Sequence, residues 1–191
     1  MKRNRVVAVF GRKGSGKSYW LKQQVDQRRG LVVVWDSVSD FAGPTAERPI
    51  RAATVFRDVR DLLTAGAERR LPRVCVVQAP RPQFPVFCAW TARVGRLLVV
   101  VDEVNLYCKP GWAPPELLEL LRIGRHAQVD LFVAARRPAE ISRDITAQAD
   151  EVRSFRTCEP VDLEWFRRYC GTRFAEGLPR LGKWRSAVFV G

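Results

Sequence analysis

The stretch VAVFGRKGSGKSYW, residues 7–20, indicates the fold because it joins a short apolar run, a glycine-rich loop and the start of a helical pattern. Residues 11–18 match GxxxxGK[ST] at every fixed position. In such a loop the glycines let backbone N–H groups converge on phosphate oxygens, and the following helix N-terminus favours negative charge. We therefore predict a nucleotide-binding loop formed by Gly11, Arg12, Lys13, Gly14, Ser15, Gly16, Lys17, Ser18 and Tyr19.

The chemistry predicted for this loop needs a second segment. Lys17 is expected to reach the β- and γ-phosphates of ATP, and the Ser18 hydroxyl to bind Mg²⁺. The stretch LLVVVDE, residues 97–103, has the pattern of a buried strand that ends on two acids. Asp102 at the strand tip would complete the Mg²⁺ site, and Glu103 would polarise the attacking water. The predicted cofactors are ATP and Mg²⁺, and the predicted reaction is ATP hydrolysis.

Working outward from the loop, apolar β-branched runs alternate with helical patterns. Strands are predicted at 5–10, 31–36, 53–57, 73–78, 96–102 and 130–135, and helices at about 17–29, 58–66, 84–94, 115–123 and 160–169. Strands that are apolar at successive positions suit burial on both faces. The predicted fold class is α/β, with a mainly parallel sheet and helices on both faces.

Length and composition limit the organisation of the chain. With 191 residues, 47% of them hydrophobic, we expect a single domain over 1–191. No apolar run approaches the ~18 residues of a membrane span, so the sequence predicts no span. Five cysteines without a CxxC pair favour neither a metal site nor a disulfide framework. A net charge of +13, mostly arginine, favours a polyanionic partner such as nucleic acid.

The segment after Glu103 narrows the function. It reads "ELLRIGRHAQVDLFVAARRPAEISRDITAQAD", and in order it follows the phosphate loop and the hydrophobic-Asp-Glu strand. In this order the chain resembles the FtsK/HerA superfamily of DNA-pumping ATPases, and most of all the genome-packaging ATPases of tailless, membrane-containing viruses. The resemblance runs from about residue 5 to 191, since the C-terminal part is similar to the family's closing helix and strand.

This resemblance implies a P-loop NTPase fold of the RecA/FtsK-HerA-like kind and a homo-oligomeric ring, a pentamer or hexamer. The implied partners are double-stranded DNA, gripped without sequence specificity, and a capsid vertex or an inner membrane protein. The implied location is the host cytoplasm and the packaging vertex of the virion. Arg122 and Arg125 match positions that face the neighbouring subunit, where an arginine can stabilise transition-state charge in trans. The alternative is that each pairs with a surface acid such as Glu116 or Glu119.

One position departs from the family pattern. The family usually ends the strand 130–135 with a polar residue, often Gln, which senses the γ-phosphate, whereas this chain has Arg136. An arginine there can hydrogen-bond phosphate, or it can mark a subunit that binds nucleotide and hydrolyses it poorly. The predicted catalytic set is therefore Lys17, Glu103, Arg122, Arg125 and Arg136.

Candidate DNA contacts lie on loops that follow the strands. Lys109 and Trp112, in YCKPGWAPP, combine a charge and a stacking ring on a Pro-Gly frame, and Arg81 is a weaker candidate. The alternative for Trp112 is a place in the core.

These observations lead to an ATP-driven double-stranded DNA translocase that packages a viral genome into a preformed capsid. The first alternative is a morphogenesis ATPase of the zonula-occludens-toxin-like type, which normally carries a membrane helix. The second is a nucleic-acid-binding P-loop module with weak hydrolysis, and a small-molecule kinase ranks last.

Overall fold

The computed structural model describes residues 4–43, 46, 48–50 and 52–191. Eight strands form one sheet in the order β3-β4-β2-β5-β6-β1-β7-β8. All neighbours pair in parallel except β7 and β8, which are antiparallel. The strands are β1 Val6–Phe10, β2 Val32–Trp35, β3 Thr54–Phe56, β4 Val74–Val77, β5 Leu98–Val101, β6 Asp130–Ala135, β7 Glu151–Phe155 and β8 Ser186–Val190.

Within the described residues, seven α-helices connect or flank these strands. They are α1 Lys17–Gln27, α2 Val59–Ala67, α3 Phe84–Val94, α4 Pro115–Ala127, α5 Arg143–Ala147, α6 Pro160–Cys170 and α7 Thr172–Gly177. Local sequence sets several of the ends. Asp58 caps α2 by accepting the Arg60 N–H at 2.8 Å. Proline occupies the first turn of α3, α4 and α6, where its missing N–H leaves no intrahelical bond unmade.

Both faces of the sheet are buried, and the alternation of side chains along β1 shows how. Val7 and Val9 pack with Leu21 and Val25 of α1 on one face. Val6, Ala8 and Phe10 point to the other face, whose core includes side chains from α2, α3, α4, α5, α6 and α7. The side chains of Phe41, Ala42 and Ile50 complete the first face. The predicted fold class, a mainly parallel sheet with helices on both faces, is confirmed.

Several elements differ from the predictions in their bounds or were not predicted. The helix predicted over 115–123 continues to Ala127, so Arg122 and Arg125 lie within α4 and not on a turn. β7 was not predicted as a strand, because three of the five residues in its sequence EVRSF are polar and it lacks the apolar run of the other central strands. The short helices α5 and α7 were also not predicted, since a few residues carry too little periodic pattern.

Parallel strands place all their carboxyl ends at one edge of the sheet, which we call the carboxyl edge. The loops that follow β1, β2, β4, β5 and β6 all lie there, and this is the edge at which open α/β sheets bind ligands. Across the residues described above, no helix is long and apolar enough to span a membrane.

Candidate functional site

The loop after β1 has the backbone shape that its glycines predicted. Gly14 and Gly16 adopt positive φ angles of 74° and 112°. At Gly11 an added Cβ would lie 2.5 Å from Ser15 Oγ and 2.9 Å from Phe155 Cβ, so a side chain there would collide with the loop and with the end of β7. After this loop the chain enters α1, which begins at Lys17.

Lys17 is buried, and its ammonium is held against the loop backbone. Its Nζ donates to the carbonyl oxygen of Gly11 at 2.5 Å and lies 3.5 Å from that of Arg12. Burial lowers the pKa of Lys17, and the carboxylates of Glu103 and Asp102 oppose this effect. The lysine thus lies among the acids that the sequence assigned to the same site.

Asp102 follows the last residue of β5 and is 2% exposed. Burial, with a further contribution from the negative charge of Glu103, raises the pKa of the Asp102 carboxyl to about 7. Its Oδ1 atom is buried and has no hydrogen-bond partner within the described ranges. A buried carboxylate oxygen without a partner fits a cation, and Ser18 and Asp102 are the oxygen ligands that would hold Mg²⁺. The described residues contain no larger metal-binding cluster of His, Cys, Asp and Glu.

Glu103 leaves the strand in a left-handed conformation, with φ 49° and ψ 52°. This conformation is uncommon for a residue other than glycine, and such positions cluster at functional sites. The Arg136 Nε, just beyond β6, lies 3.3 Å from Glu103 Oε2. Arg136 thus reaches the predicted base of its own chain, and the charges of Glu103, Asp102 and Arg136 all act on Lys17.

Arg137, the next residue, pairs with α6 and not with Glu103. Its Nε lies 3.2 and 3.1 Å from the two carboxylate oxygens of Asp162 on α6. Because Asp162 is buried, this pair fastens the end of β6 to α6 and leaves Arg136 as the arginine that faces the site.

Arg122 and Arg125 are exposed on the last two turns of α4. Neither forms an ion pair or side-chain hydrogen bond with any residue that the structure describes, so the alternative pairing with Glu116 or Glu119 is not formed. α1 starts at the carboxyl edge and spans roughly 16 Å at 1.5 Å per residue. Arg28, just beyond the end of α1, pairs with Asp130 at 2.6 Å, and α4 ends at Ala127, three residues before Asp130. Both arginines are therefore well away from their own phosphate loop.

Arg81, Lys109 and Trp112, predicted separately as DNA contacts, line one groove of about 340 Å³ at the carboxyl edge. Lys109 and Trp112 are joined by two backbone hydrogen bonds of 2.9 and 3.0 Å around Pro110 and Gly111, a tight turn with Gly111 at φ 77°. Trp112 is 54% exposed, which excludes its alternative place in the core. Phe84 and Tyr107 pack against each other in this groove, 4.3 Å between ring centroids.

A hydrogen-bonded chain connects the groove to the acidic strand tip. The Tyr107 hydroxyl lies 3.2 Å from Ser37 Oγ, and Ser37 Oγ donates to the backbone oxygen of Asp102 at 2.7 Å. The residues between Glu103 and Tyr107 form a single 3₁₀ turn, Val104–Leu106. The groove and the predicted base therefore share one short segment.

Three residues near the site were not predicted from sequence. Asp36, at the end of β2, is buried and accepts hydrogen bonds from the backbone N–H groups of Asp40 and Phe41. The apolar run that ends in this Asp is the sequence signal that could have identified it. Phe155, the last residue of β7, packs against the glycine loop. Trp184 approaches the loop from the turn before β8, and no local motif points to it.

Comparison with known proteins gives a sequence relative and a shared fold. The chain is 30% identical over 146 residues to protein P9 of Pseudoalteromonas phage PM2, an alignment that includes 74% of this chain and 64% of the phage protein. The chain thus matches less than two thirds of that protein's length. No family model matches the sequence.

Two solved structures have the same fold. The genome packaging NTPase B204 of Sulfolobus turreted icosahedral virus 2, solved in complex with AMPPCP, matches with a TM-score of 0.80 and 20% identity, over 97% of this chain and 92% of B204. B204 of Sulfolobus turreted icosahedral virus, a DNA-packaging ATPase, matches with a TM-score of 0.75 and 22% identity, over 100% and 94% of the two chains. The predicted resemblance to genome-packaging ATPases is confirmed by this match of fold.

Proposed function

We propose that this chain is an ATP-driven double-stranded DNA translocase that packages a viral genome into a preformed capsid. The observation that carries the proposal is that the tip of β5 leads first into the acidic pair Asp102–Glu103 and then into the loop of Lys109 and Trp112. This loop lines the groove together with Arg81, which comes from the loop after β4. A motor needs such a structural connection between the site of ATP hydrolysis and the surface that binds DNA. The sequence similarity to P9 and the shared fold with two packaging proteins support the same function.

In the proposed mechanism, Lys17 binds the β- and γ-phosphates and Glu103 orients and deprotonates the attacking water. Mg²⁺, held by Ser18 and Asp102, supplies positive charge to the phosphate oxygens when it is bound. Arg136 hydrogen-bonds the γ-phosphate in place of the polar residue usual at this position. The neighbouring subunit supplies Arg122 or Arg125 to the site. The chain acts as a single domain, residues 1–191, in a ring of five or six copies.

The groove is the proposed contact with DNA. Its cations meet phosphates and Trp112 contributes a stacking surface, neither of which requires a particular base sequence. Movement of DNA in the groove would reach Glu103 through the 3₁₀ turn and through the Tyr107–Ser37–Asp102 hydrogen bonds. We place the motor in the host cytoplasm and at the packaging vertex, with a capsid or inner membrane protein as its anchor.

The test of this function is ATP hydrolysis with and without double-stranded DNA, measured beside light scattering. We expect DNA of any sequence to stimulate hydrolysis, with the scattering signal of a ring. Because phosphate contacts dominate, DNA affinity should fall steeply between low and physiological salt. Absence of DNA binding at every salt concentration, or an affinity that salt does not change, would contradict the proposal.

A double variant of the groove tests whether these residues bind DNA. Arg81→Ala/Lys109→Ala should weaken DNA binding and reduce the slope of log affinity against log salt by about one for each cation lost. Arg60→Ala/Arg70→Ala is the matched control. It removes the same charge from arginines already paired with Asp58 and Glu68, and it should leave the slope unchanged. Equal slopes for the groove variant and wild type would place the DNA elsewhere.

The second candidate function is a nucleic-acid-binding module with weak hydrolysis, favoured by the ion pair of Arg136 with Glu103. A cation paired with the predicted base would reduce its ability to take a proton. Under the leading proposal Arg136 instead contacts the γ-phosphate, and Arg136→Gln should lower kcat roughly tenfold, since glutamine retains a donor but loses the charge. The variant Arg168→Gln, which changes an exposed arginine of α6 in the same way, is the control. A rise in kcat for Arg136→Gln would favour the second candidate.

A further inference from the structure

Trp184 is an exposed aromatic residue beside the phosphate loop. It is 65% exposed, the largest exposed fraction among the aromatic side chains that stand out from the surface. Its Cδ1 lies 3.4 Å from the place where a Cβ on Gly16 would be, so the edge of its ring borders the residue before Lys17. A tryptophan that exposed, next to a glycine-rich loop, is available to a ligand bound at that loop.

The sheet topology brings this residue to the site. β8 is antiparallel to β7, so Ser186 at its start pairs with Phe155 at the end of β7. Phe155 itself packs on Gly11 and Gly16. The turn before β8, closed by the Arg185 N–H to Gly182 oxygen bond of 3.1 Å, is therefore held at the carboxyl edge. A parallel last strand would have carried this turn to the opposite edge.

The geometry points to Trp184 as the platform on which the base of the nucleotide stacks, and it assigns a purine as the preferred base. This inference rests on the proposed nucleotide site. Phosphates held by the loop leave the ribose and base just outside it, where an aromatic face excludes water from the base. The indole, a bicyclic ring, overlaps a purine more fully than a pyrimidine. The Nζ of Lys183 lies 4.7 Å from the Trp184 ring centroid, so a cation covers one face of the indole and the base would stack on the other face.

Tyr19 is the other exposed aromatic residue of this region, and it too has a cation near its ring, the guanidinium of Arg48 at 5.5 Å from the ring centroid. It differs from Trp184 in its place on the first turn of α1, whereas Trp184 lies on a turn outside the helix. It is also less exposed, 49% against 65%. Tyr19→Ala is therefore a useful second variant, and we expect it to change base preference less than Trp184→Ala does.

The experiment compares the affinity of ATP, CTP and inorganic tripolyphosphate for the purified full chain by calorimetry. Trp184→Ala should weaken ATP binding by about tenfold, the scale of losing a base–aromatic stack, and should reduce the preference for ATP over CTP. Tripolyphosphate has no base, so its affinity should stay within twofold of wild type. Trp184→Phe, which keeps a stacking face, should retain most of the ATP affinity.

The other possible results contradict either the base-stacking role of Trp184 or the proposed function. If Trp184→Ala binds ATP as wild type does, or loses ATP and tripolyphosphate alike, the base-stacking role is wrong and the phosphate site remains. If the wild-type chain binds neither ATP nor tripolyphosphate, the proposed function itself fails. Lys17→Ala, which should weaken both ligands, shows that the assay detects loss of the phosphate site.

Discussion

The double variant Arg122→Ala/Arg125→Ala is expected to bind ATP with nearly wild-type affinity and to hydrolyse it about 10³-fold more slowly. This is the scale expected when an arginine that stabilises transition-state charge is lost. Both residues are exposed on α4, neither is paired within the described chain, and both lie far from their own phosphate loop. A neighbouring subunit is the partner that could use them.

The control for this variant is Arg167→Ala/Arg168→Ala. It also removes two exposed arginines from the last turn of a helix, here α6, and we expect hydrolysis per chain to stay within about twofold of wild type. The single variants show which arginine carries the effect. A double variant with wild-type turnover under conditions in which the chain is assembled would remove both arginines from the catalytic mechanism.

Glu103→Gln should keep the affinity for ATP and lose turnover by roughly 10²-fold or more, because glutamine cannot accept the proton of the attacking water. The change also removes the charged partner of Arg136, so any loss of stability should be small, since Arg136 is largely exposed. Equilibrium ATP binding and single-turnover hydrolysis, measured on the same preparation, separate the two effects.

Lys17→Ala is the comparison variant for the ATP binding and turnover of Glu103→Gln. Lys17 is predicted to contact phosphate directly, so its loss should weaken binding as well as turnover. Wild-type hydrolysis by Glu103→Gln would mean that the Asp102–Glu103 pair does not have the assigned roles, and the base would have to be sought among other groups near Lys17, such as Asp40.

Sequence was sufficient for the centre of the fold and for the phosphate loop. Strands buried on both faces are continuous apolar runs, and the loop has fixed residues at fixed spacing, so both can be read locally. The helix starts followed from the same kind of signal, with proline opening α3, α4 and α6. The end of α4 was harder, because Arg125 and His126 suit a last turn as well as a loop.

Other features depend on contacts between distant segments, which no local pattern contains. β7 lies at the edge of the parallel part of the sheet, and its buried residues include the polar Glu151 and Ser154, so it lacks a continuous apolar run. The ion pair of Glu103 with Arg136 joins the tips of β5 and β6. Trp184 reaches the loop only because β8 reverses direction. The groove was predicted residue by residue, whereas its existence as one surface required the structure.

Mixing two inactive variants tests the proposal that each ATPase site is built from two subunits. Lys17→Ala chains lack the phosphate contact but carry intact arginines, and Arg122→Ala/Arg125→Ala chains have the reverse defect. Each variant alone should be inactive. In a mixed ring some interfaces combine the two good halves, so ATP hydrolysis should recover and should be greatest near equal amounts of the two chains. A mixture that stays inactive, while light scattering shows that the two variants assemble together, would contradict a shared site.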